Sequence, residues 1–213
     1  MHDSHRRQLL GLGAALLVAG SRTSRTAEPP APPALPVPPH WQRAQRLPLW
    51  AAMPPGAETY AAPPPPRDWP ASYVRSVSMP ELRVFRPARP NGRSLLVMPG
   101  GAYWFVSVVN EGADLAPRLT ARGYTVFVLT YRLPGEGWTA RSDVPLQDAQ
   151  RAMRLIRSRA AEYRIDPARV SALGFSAGGH LAATLATRHA ENAYAARDAI
   201  DRRNGIADAD LRL

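Results

Sequence analysis

Short apolar runs alternate with helical patterns between residues 80 and 190. The first run, ELRVF from Glu81, alternates polar and apolar residues as a half-buried strand does. Three later runs are continuous, which is typical of strands buried on both faces: SLLVM from Ser94, TVFVLT from Thr125 and RVSALG from Arg169. The pattern therefore predicts four strands.

The longest helical pattern extends from Asp143 to Tyr163. Its apolar residues recur at spacings of three and four, along one face of a helix: Leu146, Ala149, Met153, Ile156, Ala160 and Tyr163. Four arginines are expected on the opposite side: Arg151, Arg154, Arg157 and Arg159. Alternating strands and helices predict an α/β fold, a three-layer α/β/α sandwich with a mostly parallel sheet. Ligands of such sheets bind beyond the carboxyl ends of the strands.

The amino-terminal segment has the form of an export signal. Arg6 and Arg7 precede an apolar stretch from Leu9 to Ala19, and small residues follow. The stretch is shorter than the ~20 residues that a bilayer-spanning helix needs, so no stable membrane anchor is expected. Residues 1–27 resemble a twin-arginine signal, which implies the twin-arginine export machinery as a partner and a periplasmic or secreted location.

Proline dominates the next segment, since residues 29–70 contain 15 of the 23 prolines. Proline removes amide donors and favours the polyproline II conformation, so residues 28–72 are interpreted as a spacer. Its tryptophans are interpreted as local anchors: Trp41, Trp50 and Trp69. Residues 73–203 form the predicted α/β core, and residues 204–213 form an irregular tail.

The formal net charge is +10, and lysine is absent, so arginine supplies all of the basic charge. The arginines are spread along the chain without interleaved aromatics, which predicts a solvated basic surface and no nucleic-acid partner. The chain has no cysteine, which excludes a thiol nucleophile, a disulfide scaffold and a thiolate zinc site. No metal or cofactor is expected.

The sequence GFSAGG from Gly174 places one serine where a predicted strand meets an alanine-rich helix. A strand that turns sharply into a helix needs glycine beside the corner, and Gly174 and Gly178 stand two residues before and after Ser176. The start of the helix favours negative charge developing on the serine oxygen. Ser176 is therefore the candidate nucleophile. A serine that only caps the helix is the alternative, and a dinucleotide-binding loop lacks its GxGxxG spacing here.

A second glycine corner, MPGGAYW from Met98, follows an earlier predicted strand. Its position at the same edge of the sheet predicts that the amides of Gly101 and Ala102 point towards the same place as the amide of Ala177. Such donors form an oxyanion hole, in which the loss of one typically raises the barrier by ~3 kcal/mol. Tyr103 and Trp104 are candidates for the wall of the substrate pocket. A plain glycine turn is the alternative interpretation.

Together these motifs resemble the α/β-hydrolase superfamily, in particular the esterase branch of hormone-sensitive-lipase-like enzymes and bacterial acetyl or xylan esterases. The resemblance covers about residues 80–190 and lies in five stretches: PGGAY from Pro99, NEG from Asn110, YRLPGEG from Tyr131, PLQDAQRAMRLIR from Pro145 and IDPARVSALGFSAGGHLAATLA from Ile165. Pro99 replaces the histidine of many members, and Ala102 replaces a third glycine. The resemblance implies hydrolysis of carboxylic esters, with short acyl esters of a carbohydrate, acetyl esters above all, as substrates. Asp148 is expected to have a structural role.

The resemblance also implies that an acid and then a histidine follow Ser176 in the chain. We expect His180 to pack within the protein, and His189 lies about 20 Å along the following helix. The other histidines lie far upstream: His2, His5 and His40. The chain is therefore expected to be a truncated esterase that lacks its triad acid and histidine and has impaired activity. A serine peptidase of the same fold and a non-catalytic truncated homologue are the alternatives.

Overall fold

The computed structural model describes residues 30–60 and 64–202. The predicted export segment, residues 1–27, and the predicted tail, residues 204–213, lie outside the described residues. The described residues from Ala31 onward belong to one compact unit. Within the described ranges, every helix is too short or too polar to cross a membrane.

The elements alternate as the sequence pattern predicts. The strands are β1 (Gln45–Pro48), β2 (Tyr73–Val74), β3 (Glu81–Phe85), β4 (Ser94–Met98), β5 (Val106–Ser107), β6 (Thr125–Thr130) and β7 (Val170–Gly174). The α-helices are α1 (Pro39–Arg43), α2 (Ala116–Thr120), α3 (Val144–Ser158), α4 (Ala160–Tyr163) and α5 (Ala177–Thr187). The four predicted strands are confirmed as β3, β4, β6 and β7. The long predicted helix is divided into α3 and α4.

Five strands form the central sheet in the order β1-β3-β6-β4-β7, and β2 and β5 pair separately. Strands β6, β4 and β7 are parallel, while β3 is antiparallel to both of its neighbours and therefore runs against the other four. The chain crosses from β4 to β6 through α2 and then from β6 to β7 through α3, in the opposite direction. Right-handed crossovers place these two helices on opposite faces. The three-layer arrangement with a mostly parallel sheet is confirmed.

Part of the proline-rich segment belongs to the core, which corrects its interpretation as a spacer. Strand β1 pairs with β3 at the edge of the sheet, and Leu47 points into the core. Trp41, Leu49 and Trp50 are also buried in the core cluster. An edge strand forms ladder hydrogen bonds on one side only, so Pro48 is tolerated at its end. The prolines of this segment are therefore compatible with packing against the sheet.

Helix α3 is buried on more sides than its sequence pattern predicts, because Arg151 and Arg154 are buried rather than exposed. The guanidinium of Arg151 donates hydrogen bonds to the carbonyl oxygen of Leu49 at 2.7 Å and to the carboxylates of Asp198 and Asp201, each at 2.8 Å. The hydrogen bonds from Arg151 lower the pKa of Asp198 to about 2. The chain after α5 thus folds back over α3.

A completely buried ion pair, Arg132 with Asp148, lies beneath the carboxyl end of β6. The carboxylate of Asp148 accepts hydrogen bonds from the Arg132 backbone amide at 2.9 Å, from Nε at 2.9 Å and from Nη2 at 2.8 Å. The indole of Trp50 donates a further one at 3.2 Å. Burial raises the pKa of Asp148, while the charge and hydrogen bonds of Arg132 oppose that rise. The pair joins the proline-rich segment, through Trp50 and Pro55, to α3, which gives Asp148 its structural role.

Candidate active site

The two glycine corners lie side by side at the carboxyl edge of the sheet. Strands β4 and β7 are parallel neighbours, with Met98 opposite Gly174. The chain leaves β4 towards β6 on one side, and β7 lies on the other side of β4. Such a reversal of strand order opens a crevice beyond the strand ends, which is the usual ligand site of these sheets.

Ser176 stands exposed on a strained corner between β7 and α5. Its φ is 49° and its ψ is −118°, a conformation that residues other than glycine rarely adopt. Its side chain makes no capping hydrogen bond, which contradicts the alternative of a serine that only caps the helix. The corner projects a free hydroxyl beyond the strand.

Gly174 and Gly178 allow this corner to form. A Cβ on Gly174 would overlap the carbonyl oxygen of Gly178, and a Cβ on Gly178 would overlap the carbonyl oxygen of Met98. The backbones of β7, α5 and the end of β4 therefore approach one another more closely than side chains permit. The sequence spacing predicts both glycines for this physical reason.

The loop after β4 touches the serine corner. A Cβ on Gly100 would lie 2.5 Å from the carbonyl oxygen of Phe175 and 3.0 Å from Cβ of Ser176. The next three residues have positive φ, 129° at Gly101, 52° at Ala102 and 60° at Tyr103. The sequence thus brings the predicted oxyanion loop beside the predicted nucleophile.

Some backbone amides of the loop after β4 donate hydrogen bonds within the loop, and others have no acceptor among the described residues. The amides of Trp104 and Phe105 donate to the carbonyl oxygen of Gly101 at 2.8 and 3.2 Å, so the loop closes on itself. Among the described residues, the amides predicted for the oxyanion hole donate to no acceptor of the protein: Gly101, Ala102 and Ala177. Free amides beside an exposed serine are suited to binding an oxyanion.

Two side chains, from the NEG and YRLPGEG stretches, hold the start of the loop. The carboxylate of Glu111 accepts a hydrogen bond from the amide of Gly100 at 2.5 Å. The hydroxyl of Tyr131 donates to the carbonyl oxygen of Pro99 at 2.7 Å. Burial is the main cause that raises the pKa of Tyr131, so this hydroxyl stays protonated at neutral pH. The stretches NEG and YRLPGEG therefore hold the first two residues of the loop, Pro99 and Gly100, through side-chain hydrogen bonds.

His180 does not pack in the interior, which corrects its expected role. Its side chain is exposed, and Nδ1 lies 2.9 Å from the hydroxyl of Tyr103. A residue four positions after Ser176 lies on the same face of α5 as the start of the helix, next to the loop. Tyr103 is half-buried, and Trp104 is 41% exposed. Their contribution to the wall of a substrate pocket stays a prediction.

Each histidine in the described ranges contacts a group other than Ser176. Nε2 of His40 lies 2.8 Å from the carbonyl oxygen of Ala113, and Nδ1 of His189 lies 2.8 Å from that of Ala186. The same ranges contain no cluster of three side chains suited to a metal ion. In the described residues, a serine thus lies beside free backbone amides, and no histidine side chain is hydrogen-bonded to that serine.

The mostly parallel sheet, the strained serine corner and the facing glycine loop are the features of an α/β-hydrolase fold. The BD-FAE family model matches residues 82–206, more than half of the chain, and the chain belongs to this family.

Comparisons with individual proteins agree with this class. Acetylxylan esterase from Xylanibacter ruminicola is 37% identical over 107 residues, which are 50% of this chain and 22% of that protein. Endo-1,4-beta-xylanase B from Butyrivibrio fibrisolvens is 38% identical over 92 residues, which are 43% of this chain and 14% of that protein. The structure of an acetyl ester-xyloside bifunctional hydrolase from Caldicellulosiruptor lactoaceticus is 29% identical with a TM-score of 0.50, over 68% of this chain and 47% of that one. The chain spans less than half the length of each.

Proposed function

We propose that this chain carries the nucleophile and the oxyanion-binding part of a carboxylic-ester hydrolase site. One observation carries the proposal: the exposed Ser176, held in a strained conformation, lies against a loop in which the amides of Gly101 and Ala102 donate to no acceptor among the described residues. Strain of this kind persists where the surrounding structure enforces it, and such positions concentrate at active sites.

The proposed reaction uses one serine and three backbone amides. Oγ of Ser176 attacks the carbonyl carbon of the ester, and the carbonyl oxygen becomes negatively charged. The amides of Gly101, Ala102 and Ala177 stabilise that oxygen. The bond between the carbonyl carbon and the alcohol oxygen then breaks, the alcohol leaves with a proton, and the acyl group stays on Oγ. Attack by water releases the carboxylic acid and restores the serine hydroxyl.

The proposed substrates are short acyl esters of a carbohydrate, acetyl esters above all. Two relatives support this choice, because one is named as an acetylxylan esterase and another as an acetyl ester-xyloside hydrolase. This chain covers 22% of the first protein and 47% of the second. The substrate class is therefore part of the proposal.

The proposal includes slow turnover by this chain. Among the described residues no imidazole is hydrogen-bonded to Ser176, and a general base assists both formation and hydrolysis of an acyl-enzyme. An activated ester such as p-nitrophenyl acetate needs little help to lose its leaving group, whereas the attack of water still needs the base. The acetyl group should therefore accumulate on the serine.

Incubation of the 213-residue chain with p-nitrophenyl acetate tests the proposal by intact-mass and peptide mass spectrometry. The expected result is one acetyl adduct at Ser176 that outlasts the release of p-nitrophenolate. Ser176→Ala should lose the adduct, whereas Ser171→Ala, which alters an exposed serine of β7, should retain it.

Absence of the adduct from the native chain would refute the proposed chemistry and favour a non-catalytic homologue. A second arm offers acetylated xylo-oligosaccharides and a peptide p-nitroanilide at equal concentration. Cleavage of the peptide in preference to the sugar acetate would favour the peptidase alternative.

A further inference from the structure

One side-chain contact bridges the two sources of oxyanion amides. Gly101 and Ala102 lie on the loop after β4, while Ala177 lies at the start of α5. We propose that the hydrogen bond between Tyr103 and His180 holds the loop at a fixed distance from α5, so that both side chains act as positioning residues for the oxyanion hole. This inference rests on the proposed function.

The other supports of the loop act at its start or within it. Tyr131 holds Pro99, and Glu111 holds Gly100. The amides of Trp104 and Phe105 bond back to Gly101, which closes the loop without joining it to the helix. In the described part of the chain, the Tyr103–His180 contact is the hydrogen bond that joins residues 101–103 to α5.

The loop needs an outside restraint because its own backbone is unfavourable. Ala102 and Tyr103 both have positive φ, 52° and 60°, without being glycine. Such residues relax to ordinary conformations unless neighbouring contacts hold them. Relaxation at these two positions would rotate the amide planes on either side and redirect the free amides. The hydrogen bond at Tyr103 therefore restrains the last residue of the strained segment.

The protonation and packing of the pair suit a stable hydrogen bond. Burial raises the pKa of Tyr103, so its hydroxyl keeps its proton at neutral pH and can donate to Nδ1 of His180 or accept from it, according to the tautomer of the imidazole. The two rings meet edge to face with centroids 5.9 Å apart, and the ring of Tyr131 lies 6.2 Å from Tyr103 on another side. The tyrosine ring is thus held between the helix and the carboxyl end of β6.

Four single variants and one double variant of the full chain test the tether. Tyr103→Phe and His180→Ala remove the hydrogen bond, while His180→Asn places an amide group where Nδ1 lies and should restore it. His189→Ala changes a histidine beyond the end of α5 and is the matched control. Hydrogen exchange at the amides of Trp104 and Phe105 reports loop order without requiring activity.

We expect exchange at these two amides to rise about fivefold to tenfold in Tyr103→Phe and His180→Ala, the factor that the net loss of one hydrogen bond gives. Acetylation of Ser176 by p-nitrophenyl acetate should slow by a similar factor, with the half-saturating ester concentration unchanged. The double variant Tyr103→Phe with His180→Ala should be acetylated no more slowly than either single variant, and His180→Asn should match the native chain.

Native exchange and native acetylation in Tyr103→Phe would overturn the inference while leaving the proposed function intact. Failure of the proposed function has a different signature. The native chain would then show no acetyl adduct, and the rise in exchange in the two tether variants would still support the positioning of the loop. Equal effects of His180→Asn and His180→Ala would also overturn the inference, because the conservative variant keeps the hydrogen-bonding group.

Discussion

Replacing Asp148 by alanine is expected to lower the free energy of unfolding by about 3–5 kcal/mol, because one partner of a buried ion pair is lost. The guanidinium of Arg132 is fully buried in the native fold and would stay charged without a counterion. The Trp50 indole and the Arg132 amide would lose their acceptor in the same step. Urea denaturation monitored by tryptophan fluorescence measures the change.

An exposed ion pair provides the control for this prediction. Arg86 and Glu162 are 3.3 Å apart, and their side chains are 49% and 37% exposed. Glu162→Ala should therefore cost less than about 1 kcal/mol. The double variant Arg132→Met with Asp148→Leu removes both buried charges and should recover much of the loss. A cost for Asp148→Ala no greater than that for Glu162→Ala would show that the buried pair does not hold the proline-rich segment against α3.

The Gly178→Ala variant is expected to destabilise the fold by about 3 kcal/mol, the upper part of the usual range for overpacking, and to prevent acetylation of Ser176. The added methyl group would overlap the backbone carbonyl of Met98, which is held in the sheet and cannot move as a flexible side chain does. Strand β4 and helix α5 would then separate. Thermal unfolding and the acetylation assay measure the two effects.

Gly179→Ala is the matched control, one residue further along the same helix. A Cβ at Gly179 would lie 3.4 Å from the carbonyl oxygen of Gly174, which is an ordinary contact. Alanine is favoured over glycine within a helix by about 0.5–1 kcal/mol, so this variant should be as stable as the native chain or more stable. Equal behaviour of the two variants would mean that the close approach at Gly178 does not shape the corner.

The parts of the fold that the sequence predicts are those in which local pattern and burial coincide. Strands β4 and β6 are covered on both faces, so every residue of the TVFVLT run is buried and the run is apolar apart from its end threonines. The serine corner is equally local, since Gly174 and Gly178 are needed within two residues of Ser176. Buried strands and the serine corner each depend on a short stretch of chain, so the sequence of that stretch is enough to predict them.

The parts that the sequence does not predict depend on partners distant in the chain. Strand β1 has one buried residue, Leu47, in four, and its pairing with β3 has no periodic signature. Arg151 has the position of an outer residue of α3 until Asp198 and Asp201 cover it. The contact between Tyr103 and His180 joins residues 77 positions apart, and each motif alone gives no indication of the other.

The most direct test of the central claim compares the phosphonylation of Ser176 in the folded and the unfolded chain. The native 213-residue chain and the same chain in concentrated urea are treated with a fluorophosphonate, and every modified serine is located by peptide mass spectrometry. Oxyanion amides stabilise the attack at phosphorus only in the folded chain, so Ser176 should react about 10²-fold faster there than in urea and faster than any other serine. Equal rates in the two states, or faster modification of another serine in the native chain, would contradict the account.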